Sequence, residues 1–353
     1  MALEDYNWAD RMVHRIAFGA RAPQQILMDM EDSRFGERLA SQMVGPPIFI
    51  TALPRAGTTL MLEVLSCHPD VATHTYRDMP FVLSPLMWQH LAGKFQVRQE
   101  AKERSHGDGM LVSADSPEAF EEVLWQRGCP QDFQHDAIRL REQLDPQFVS
   151  SLQRHIRAIC MARGKSSSTA TRYVSKNNAN IARLGALAAG FPDASIIIPL
   201  RHPIDQARSL LRQHKKALAS HARSRFARTY VRDIGHFEFG AEHRPIWFEG
   251  MEDVIARQSP DDLDYWIAYW ITAARHIQRQ GVGKLVDMTR FTHGNGVAAL
   301  YEGLGLAISP PALAHAQGLV KPIKQYDGDI GGSLASEAMD LYEDLRQSAA
   351  CLV

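Results

Sequence analysis

The 353-residue sequence lacks several features that mark specialised classes of protein. Its four cysteines form no Cys-x-x-Cys pair, which argues against a zinc site or a disulfide framework and suits a reducing cytoplasm. No stretch reaches the roughly 20 apolar residues of a membrane-spanning helix. The first twenty residues carry charges where a signal peptide needs an uninterrupted apolar run. We therefore expect a cytoplasmic protein without a membrane span.

An excess of charge of either sign is also missing. Lysine and arginine number 39 against 40 aspartates and glutamates, so the net charge of -1 argues against a general nucleic-acid or membrane-surface partner. Hydrophobic residues make up 45% and charged residues 22%, which is the composition of a folded globular protein. Any anion site must therefore be local.

The chain reads as a short lead-in followed by one large domain. Residues 1–46 have the apolar spacing of helices and are predicted to form a helical N-terminal lead-in. Residues 47–353 are predicted to form a single domain, with a helical insertion at about 93–170. Within the insertion, the pattern predicts helices over 116–127 and 145–162.

Short apolar runs in the main domain are typical of buried strands. They lie at 47–53, 173–175, 195–200 and 284–288 and are separated by helical stretches such as 179–189. Alternation of strands with helices predicts an α/β fold in which a parallel β-sheet is flanked by helices.

The loop after the first predicted strand is the most informative segment. It reads Pro54-Arg55-Ala56-Gly57-Thr58-Thr59 and precedes a helix, whose free N–H groups attract phosphate. Gly57 allows close backbone approach to an anion, Arg55 supplies positive charge, and the threonine hydroxyls can donate hydrogen bonds. A nucleoside triphosphatase loop of the GxxxxGKS/T type needs a first glycine and a lysine, and both are absent here. Their absence disfavours metal-dependent kinase chemistry.

A second candidate phosphate site follows the strand at 195–200. Arg201-His202-Pro203 comes directly after it, and Ser209 lies eight residues beyond Arg201. Pro203 is suited to the first turn of a helix, and Ser209 then lies two turns further on. Arg201 and Ser209 can therefore reach one phosphate.

Together these two motifs resemble those of the sulfotransferases that use 3'-phosphoadenosine 5'-phosphosulfate (PAPS). The first resembles the 5'-phosphosulfate loop, P-K/R-S/A-G-S/T-T, and the second the 3'-phosphate motif, R-x-P followed by serine. The tyrosylprotein-type and related bacterial sulfotransferases are the most similar. The resemblance implies a P-loop-NTPase-like sulfotransferase fold, PAPS as donor with PAP as product, no metal, and a hydroxyl acceptor on a small molecule, glycan, lipid or peptide. The donor-binding residues that it implies are Arg55, Ala56, Gly57, Thr58, Thr59, Arg201 and Ser209.

Two lysines also match positions of the family. Lys176, at the end of a predicted strand, matches a lysine that stabilises the transferring sulfuryl group, and Arg55 is implied to act with it. Lys321 stands in a segment that resembles a C-terminal loop folding over the nucleotide. Charge spreads over the nonbridging oxygens during in-line transfer, so cations at these positions suit the reaction.

The general base is less apparent. The family expects a glutamate a little over twenty residues past the loop arginine, but HPDVATHTYRDMPF has none there. Asp78 is the carboxylate nearest to that position and His74 the alternative base. The acidic block at 116–122 also resembles a family segment near the acceptor, so Glu121 or Glu122 is a further candidate. The same block also fits a solvated first turn of a helix.

Two other functions remain compatible with the sequence. A non-catalytic PAP-binding adaptor would retain the nucleotide site without a base, and an ATP-dependent P-loop kinase would need magnesium ligands that the sequence does not identify. No heptad pattern indicates an oligomeric state, and the acceptor stays open.

Overall fold

The computed structural model describes residues 8–92, 102–103, 111–112, 114–164, 171–323, 331–348 and 350–352. Its strands are β1 (Gly45–Ile50), β2 (Val71–Ala72), β3 (Lys102–Glu103), β4 (Leu111–Val112), β5 (Arg172–Lys176), β6 (Ser195–Leu200) and β7 (Lys284–Asp287). Its α-helices are α1 (Trp8–Gly19), α2 (Arg21–Ser41), α3 (Thr58–Ser66), α4 (Pro85–Ala92), α5 (Glu122–Gly128), α6 (Pro146–Arg163), α7 (Leu184–Gly190), α8 (Pro203–Arg223), α9 (Arg225–Asp233), α10 (Met251–Arg257), α11 (Leu263–Gln280), α12 (Met288–Phe291), α13 (Gly296–Gly303), α14 (Pro310–Leu319) and α15 (Ser333–Gln347).

Five strands form one parallel sheet in the order β2, β5, β1, β6, β7. In the centre, Ile48 of β1 lies opposite Val174 of β5 and Ser195 of β6. The four predicted strands and the α/β class are confirmed. Strand β2 is not among the predicted strands, because its two residues are too few to show a pattern. Strands β3 and β4 form a separate antiparallel pair.

The central strand β1 shows why the sheet is covered on both sides. Ile48, Phe49 and Ile50 are all fully buried, and successive side chains of a strand point to opposite faces. Phe49 belongs to one hydrophobic cluster, whereas Ile48 and Ile50 belong to another. Each such side chain contributes about 1.5–3 kcal/mol through burial. A run that is apolar on both faces therefore requires helices above and below it.

Helices supply both layers. The cluster around Ile48 and Ile50 includes apolar residues of α3, α13 and α14, and the cluster around Phe49 includes those of α6, α7, α8, α11 and α15. Helices α1 and α2 lie within the segment predicted as the helical lead-in, and α2 packs against α4 and α6. The division into lead-in, domain and insertion stays a prediction. Across the described ranges, no helix is both long enough and apolar enough to cross a membrane.

One helix begins later in the chain than the sequence pattern predicts. The helix expected over 116–127 starts only at Glu122, whereas the helix expected over 145–162 is present as α6, with Asp145 capping its first turn. The backbone ahead of α5 pairs instead with the segment at 74–76, through Tyr76 N–H to Ser116 O and Glu118 N–H to His74 O. This pairing with a distant segment overrides the local preference for a helical turn.

Parallel pairing brings three chain segments to one edge of the sheet. β5, β1 and β6 are neighbours, and each ends at the same edge because the strands run in the same direction. The loop 54–57 follows β1, Lys176 ends β5, and Arg201 follows β6. Ligands of α/β proteins bind beyond the carboxyl ends of the strands, so this edge is the place to look for a site.

Candidate active site

The loop between β1 and α3 has the conformation of an anion-binding turn. Arg55 has a positive φ of 67° and Gly57 one of 111°. A positive φ in a non-glycine residue is uncommon and is held only by surrounding contacts. Gly57 is the N-cap of α3, so the first N–H groups of that helix face away from the sheet toward the loop. Backbone amides and the helix dipole both favour a negative charge at this point.

The second motif is bonded directly to this loop. Arg201 Nη1 donates to the carbonyl oxygen of Arg55 at 2.9 Å, and Arg55 Nε donates to Ser209 Oγ at 3.0 Å. Arg201 Nε is buried and has no hydrogen-bond partner among the described residues. Burial lowers the pKa of Arg201, and the neighbouring charge of Arg55 adds to this effect. The unsatisfied Nε donor of Arg201, beside the cationic Arg55, fits an anionic phosphate ligand.

Gln206, which the sequence reasoning did not select, holds the loop in place. Its Nε2 donates to the carbonyl oxygens of Leu53 and Pro54 at 3.1 and 2.9 Å. Trp270 on α11 donates to Gln206 Oε1 at 3.0 Å, which fixes the orientation of the amide. The α8 helix therefore supports the start of the loop, through Gln206 on its backbone and through Ser209 on the side chain of Arg55.

A cleft opens beside the loop and contains the predicted catalytic lysine. Its empty volume is about 550 Å³, including the solvent at its mouth. Lys176 reaches it from the end of β5 and is half-buried. Its wall also carries Pro54, Glu122, Asn178, His236 and Glu238.

A chain of hydrogen bonds connects the phosphate loop with the cleft. Thr58 Oγ1 donates to Asn178 Oδ1 at 3.1 Å, and Asn178 Nδ2 donates to Glu238 Oε1 at 2.9 Å. Burial alone would raise the pKa of Glu238, but the charges of His236 and Lys176 and the bond from Asn178 outweigh it. The pKa of Glu238 is therefore held below its usual value, and the carboxylate stays charged at neutral pH.

Sequence comparison agrees with this geometry. A model of the Sulfotransferase family matches residues 46–256, which is more than half of the chain and includes the loop, Lys176, Arg201 and Ser209. The chain belongs to the sulfotransferase family. Membership of this family indicates sulfuryl transfer as the general chemistry of the chain. Comparison with curated proteins yields no match.

Solved sulfotransferases of bacteria are similar to this chain. STF1 of Mycobacterium tuberculosis H37Rv is 15% identical, with 90% of this chain and 81% of that one covered and a TM-score of 0.47. STF9 of Mycobacterium avium is 12% identical, with 90% and 80% covered and a TM-score of 0.45. The sulfotransferase domain of the Synechococcus PCC 7002 olefin synthase is 13% identical, with 87% and 96% covered and a TM-score of 0.38.

Two of the predicted bases of this sulfotransferase lie in a buried cluster away from the cleft wall. His74 Nδ1 pairs with Asp78 at 3.2 Å and His74 Nε2 with His155 at 2.9 Å. Asp78 also accepts from the Thr75 N–H and forms an ion pair with Arg163. Burial would raise the pKa of Asp78, but the bond to His74 and the charge of Arg163 hold it below its usual value. Catalysis by Asp78 or His74 stays a prediction, and their contacts favour a structural role.

The acidic block at 116–122 is buried rather than solvated. Glu121 is 1% exposed and accepts from Trp125, Tyr173 and Asn180 at 2.8–3.1 Å. Glu122 is 3% exposed and accepts both Nη atoms of Arg183 as well as the amide of Asn177. The reading as a solvated helical turn is therefore wrong. A catalytic role for Glu121 stays a prediction.

The remaining residues predicted to bind the sulfuryl donor differ in their positions. Ala56 is buried in the loop, Thr58 is buried as the first residue of α3, and Thr59 is half-buried on the first turn of that helix. Lys321 is exposed after α14 and does not line the cleft. The structure thus brings together the loop, Arg201, Ser209 and Lys176, and leaves Lys321 outside this group. Their roles in binding and catalysis stay predictions.

Gly57 provides a direct test of the loop conformation. Gly57→Ala is expected to lower the free energy of unfolding by about 1–3 kcal/mol, because alanine is strained at a φ of 111°. Its Cβ would also lie 2.6 Å from Cε of Met288, a side chain that can move. Equilibrium denaturation by urea measures the change.

Gly36→Ala in helix α2 is the matched control. No atom lies within 4 Å of the added Cβ, so the variant is expected to gain about 0.5–1 kcal/mol. Equal stability of Gly57→Ala and the native chain would contradict the strained conformation.

Proposed function

We propose that this sulfotransferase transfers the sulfuryl group of PAPS to a hydroxyl group of an acceptor, in line and without a metal ion. One observation carries the proposal: Arg55, Arg201 and Ser209 are joined by hydrogen bonds at the N-terminus of α3, with Arg201 Nε buried and unsatisfied. A 3'-phosphate in contact with Arg201 would satisfy this donor.

The donor would be held by two neighbouring groups of residues. The N–H groups of the loop 56–59 and Arg55 would bind the 5'-phosphosulfate, because they combine a helix N-terminus with a fixed cation. Arg201 and Ser209 would bind the 3'-phosphate. Two charge-assisted contacts at about 1.5–3 kcal/mol each would give roughly 10²- to 10⁴-fold preference for a 3'-phosphorylated nucleotide.

Lys176 would act on the group that is transferred. It extends from the end of β5 into the cleft, beside Pro54 of the phosphate loop. Negative charge on the nonbridging sulfuryl oxygens and on the departing phosphate is stabilised by a preorganised cation. Lys176 ends β5, and Arg55 lies in the loop that follows the adjacent strand β1, so the two cations can act on the two sides of one reacting centre.

Isothermal titration calorimetry with PAP, AMP and ATP tests the nucleotide assignment. The native chain is expected to bind PAP with submillimolar affinity and to bind AMP and ATP much more weakly. Arg201→Ala should weaken PAP binding about 10- to 150-fold, which is the value of one hydrogen bond to a charged group. AMP binding should change little, because AMP has no 3'-phosphate.

Arg223→Ala is the matched control, since Arg223 is an exposed arginine at the far end of α8. This variant should bind PAP like the native chain. Indifference of the native chain to the 3'-phosphate would overturn the proposal, and magnesium-dependent preference for ATP would favour a kinase. PAP binding without turnover of PAPS would favour a non-catalytic adaptor.

A further inference from the structure

His236 on the cleft wall has a defined proton arrangement. Its Nε2 lies 3.0 Å from the carbonyl oxygen of Ala119. A carbonyl oxygen can only accept a hydrogen bond, so Nε2 must carry the hydrogen. In the neutral ring, the lone pair is therefore on Nδ1, which is the arrangement that a histidine base requires.

The backbone next to His236 packs closely against helix α5. Gly235 has a φ of 78°, and a Cβ on it would lie 2.5 Å from Cγ of Glu122. Only glycine therefore fits between this segment and α5. The N–H of His236 donates to Val231 O at 2.8 Å, which fixes the start of the segment against α9. The ring is half-buried on the cleft wall.

His236 lines the same cleft as Lys176, the lysine assigned to the sulfuryl group. The charge of His236 lowers the pKa of Glu238, and the charge of Lys176 does the same. All three groups line one cleft beside the phosphate loop. The Glu238 carboxylate therefore lies within electrostatic range of both the imidazole and the lysine.

The other candidate bases are engaged in ways that oppose proton transfer. Both ring nitrogens of His74 have partners, and both oxygens of Glu121 accept hydrogen bonds. Glu122 is in a two-bond ion pair with Arg183. Glu238 has a lowered pKa, which makes it a weak base.

We propose that Nδ1 of His236 accepts the proton of the acceptor hydroxyl; this inference rests on the proposed function. The hydroxyl oxygen forms a bond to sulfur while its proton passes to Nδ1. The bond between sulfur and the bridging oxygen of the 5'-phosphate breaks, and its electron pair leaves on PAP. The imidazolium then releases the proton to solvent.

Other titratable groups line the cleft with His236. They are Glu122, Lys176, Glu238, His243, Arg244 and Tyr269. Burial, followed by the charge of His214, lowers the pKa of His243 to about 4, so His243 does not titrate near neutrality.

The test measures transfer from radiolabelled PAPS to 4-methylphenol, glucose, dodecanol and water. His236→Asn is expected to lower turnover about 10²- to 10⁴-fold with the fastest of these acceptors, which is the usual contribution of a general base. The KM for PAPS and the PAP affinity should change less than about twofold, because the donor site is intact. Imidazole should restore part of the turnover of His236→Gly.

His135→Asn is the control, since His135 is exposed and lies outside the cleft. A His236→Asn variant that binds PAP and retains native turnover would overturn the inference. A native chain that binds PAP but transfers to none of these acceptors, water included, would overturn it as well. Nitrogen-15 NMR that shows a hydrogen on Nδ1 of the neutral His236 ring would also overturn the inference. Failure of the proposed function is distinguishable, since it appears as absent preference for the 3'-phosphate.

Discussion

Lys176→Met is expected to reduce turnover about 10²- to 10³-fold while PAP binding stays nearly unchanged. Methionine keeps the length of the side chain but removes the charge that β5 presents to the cleft beside Glu238. PAP has no sulfuryl group, so a cation that acts on that group affects transfer much more than product affinity. Steady-state kinetics at saturating PAPS and calorimetry with PAP measure the two quantities.

Lys216→Met on α8 is the control for loss of one positive charge, since Lys216 is exposed. Circular dichroism of both variants establishes that they are folded. Native turnover in a folded Lys176→Met variant would remove this lysine from the chemistry and leave Arg55 as the proposed cation at the sulfuryl group.

Glu122→Ala is expected to lower the free energy of unfolding by about 3–5 kcal/mol. The reason is the state of Arg183, which is fully buried and would lose both hydrogen bonds to the carboxylate. The guanidinium lies over the ring of Trp125, 4.1 Å from its centroid, where water cannot replace the lost partner. Equilibrium unfolding in urea measures the loss.

Asp253→Ala is the matched control, because it removes a carboxylate whose partner, Arg257, is exposed and 3.6 Å away. An exposed ion pair contributes little, so the change should stay below about 0.5 kcal/mol. A second variant, Glu122→Leu with Arg183→Met, should recover much of the stability, since replacing both charges leaves none unpaired. A loss below about 1 kcal/mol in Glu122→Ala would contradict the importance of this pair.

The sequence predicts well those parts of the molecule that depend on neighbouring residues. The apolar run at β1, the turn at Gly57 and the proline that opens α8 each act within a few residues. Parallel pairing then brings these segments to one edge without further information. This explains why the central strands and the grouping of Arg55, Arg201 and Ser209 followed from the sequence.

Groups that meet through long-range packing could not be found in this way. His236 and Glu238 lie about sixty residues from Lys176 in an aromatic-rich stretch that matches no motif. Their position depends on Gly235 packing against α5 and on Asn178 reaching Glu238. A glycine next to a histidine was the only sequence indication, and glycines are too common to be specific.

The acidic block shows the same limit for local structure. Ser116-Pro117-Glu118 has the composition of a helix start, yet its backbone pairs with residues about forty positions earlier. Local preferences for helical turns amount to fractions of a kcal/mol per residue. Tertiary hydrogen bonds of buried groups exceed them.

The contact between Arg55 and Arg201 bears on how the proposed site would recognise the 3'-phosphate and the 5'-phosphosulfate of PAPS. The positive charge of Arg55 disfavours the charged form of Arg201, so an anion that neutralises one of them relieves repulsion on the other. Such relief is a coupling free energy and acts equally in both directions. In the proposed function, occupancy at the 3'-phosphate position would therefore raise affinity at the 5' position, and a doubly phosphorylated nucleotide would bind more tightly than its two halves separately. The proposed site would then discriminate by cooperation between adjacent cations rather than by two independent tests.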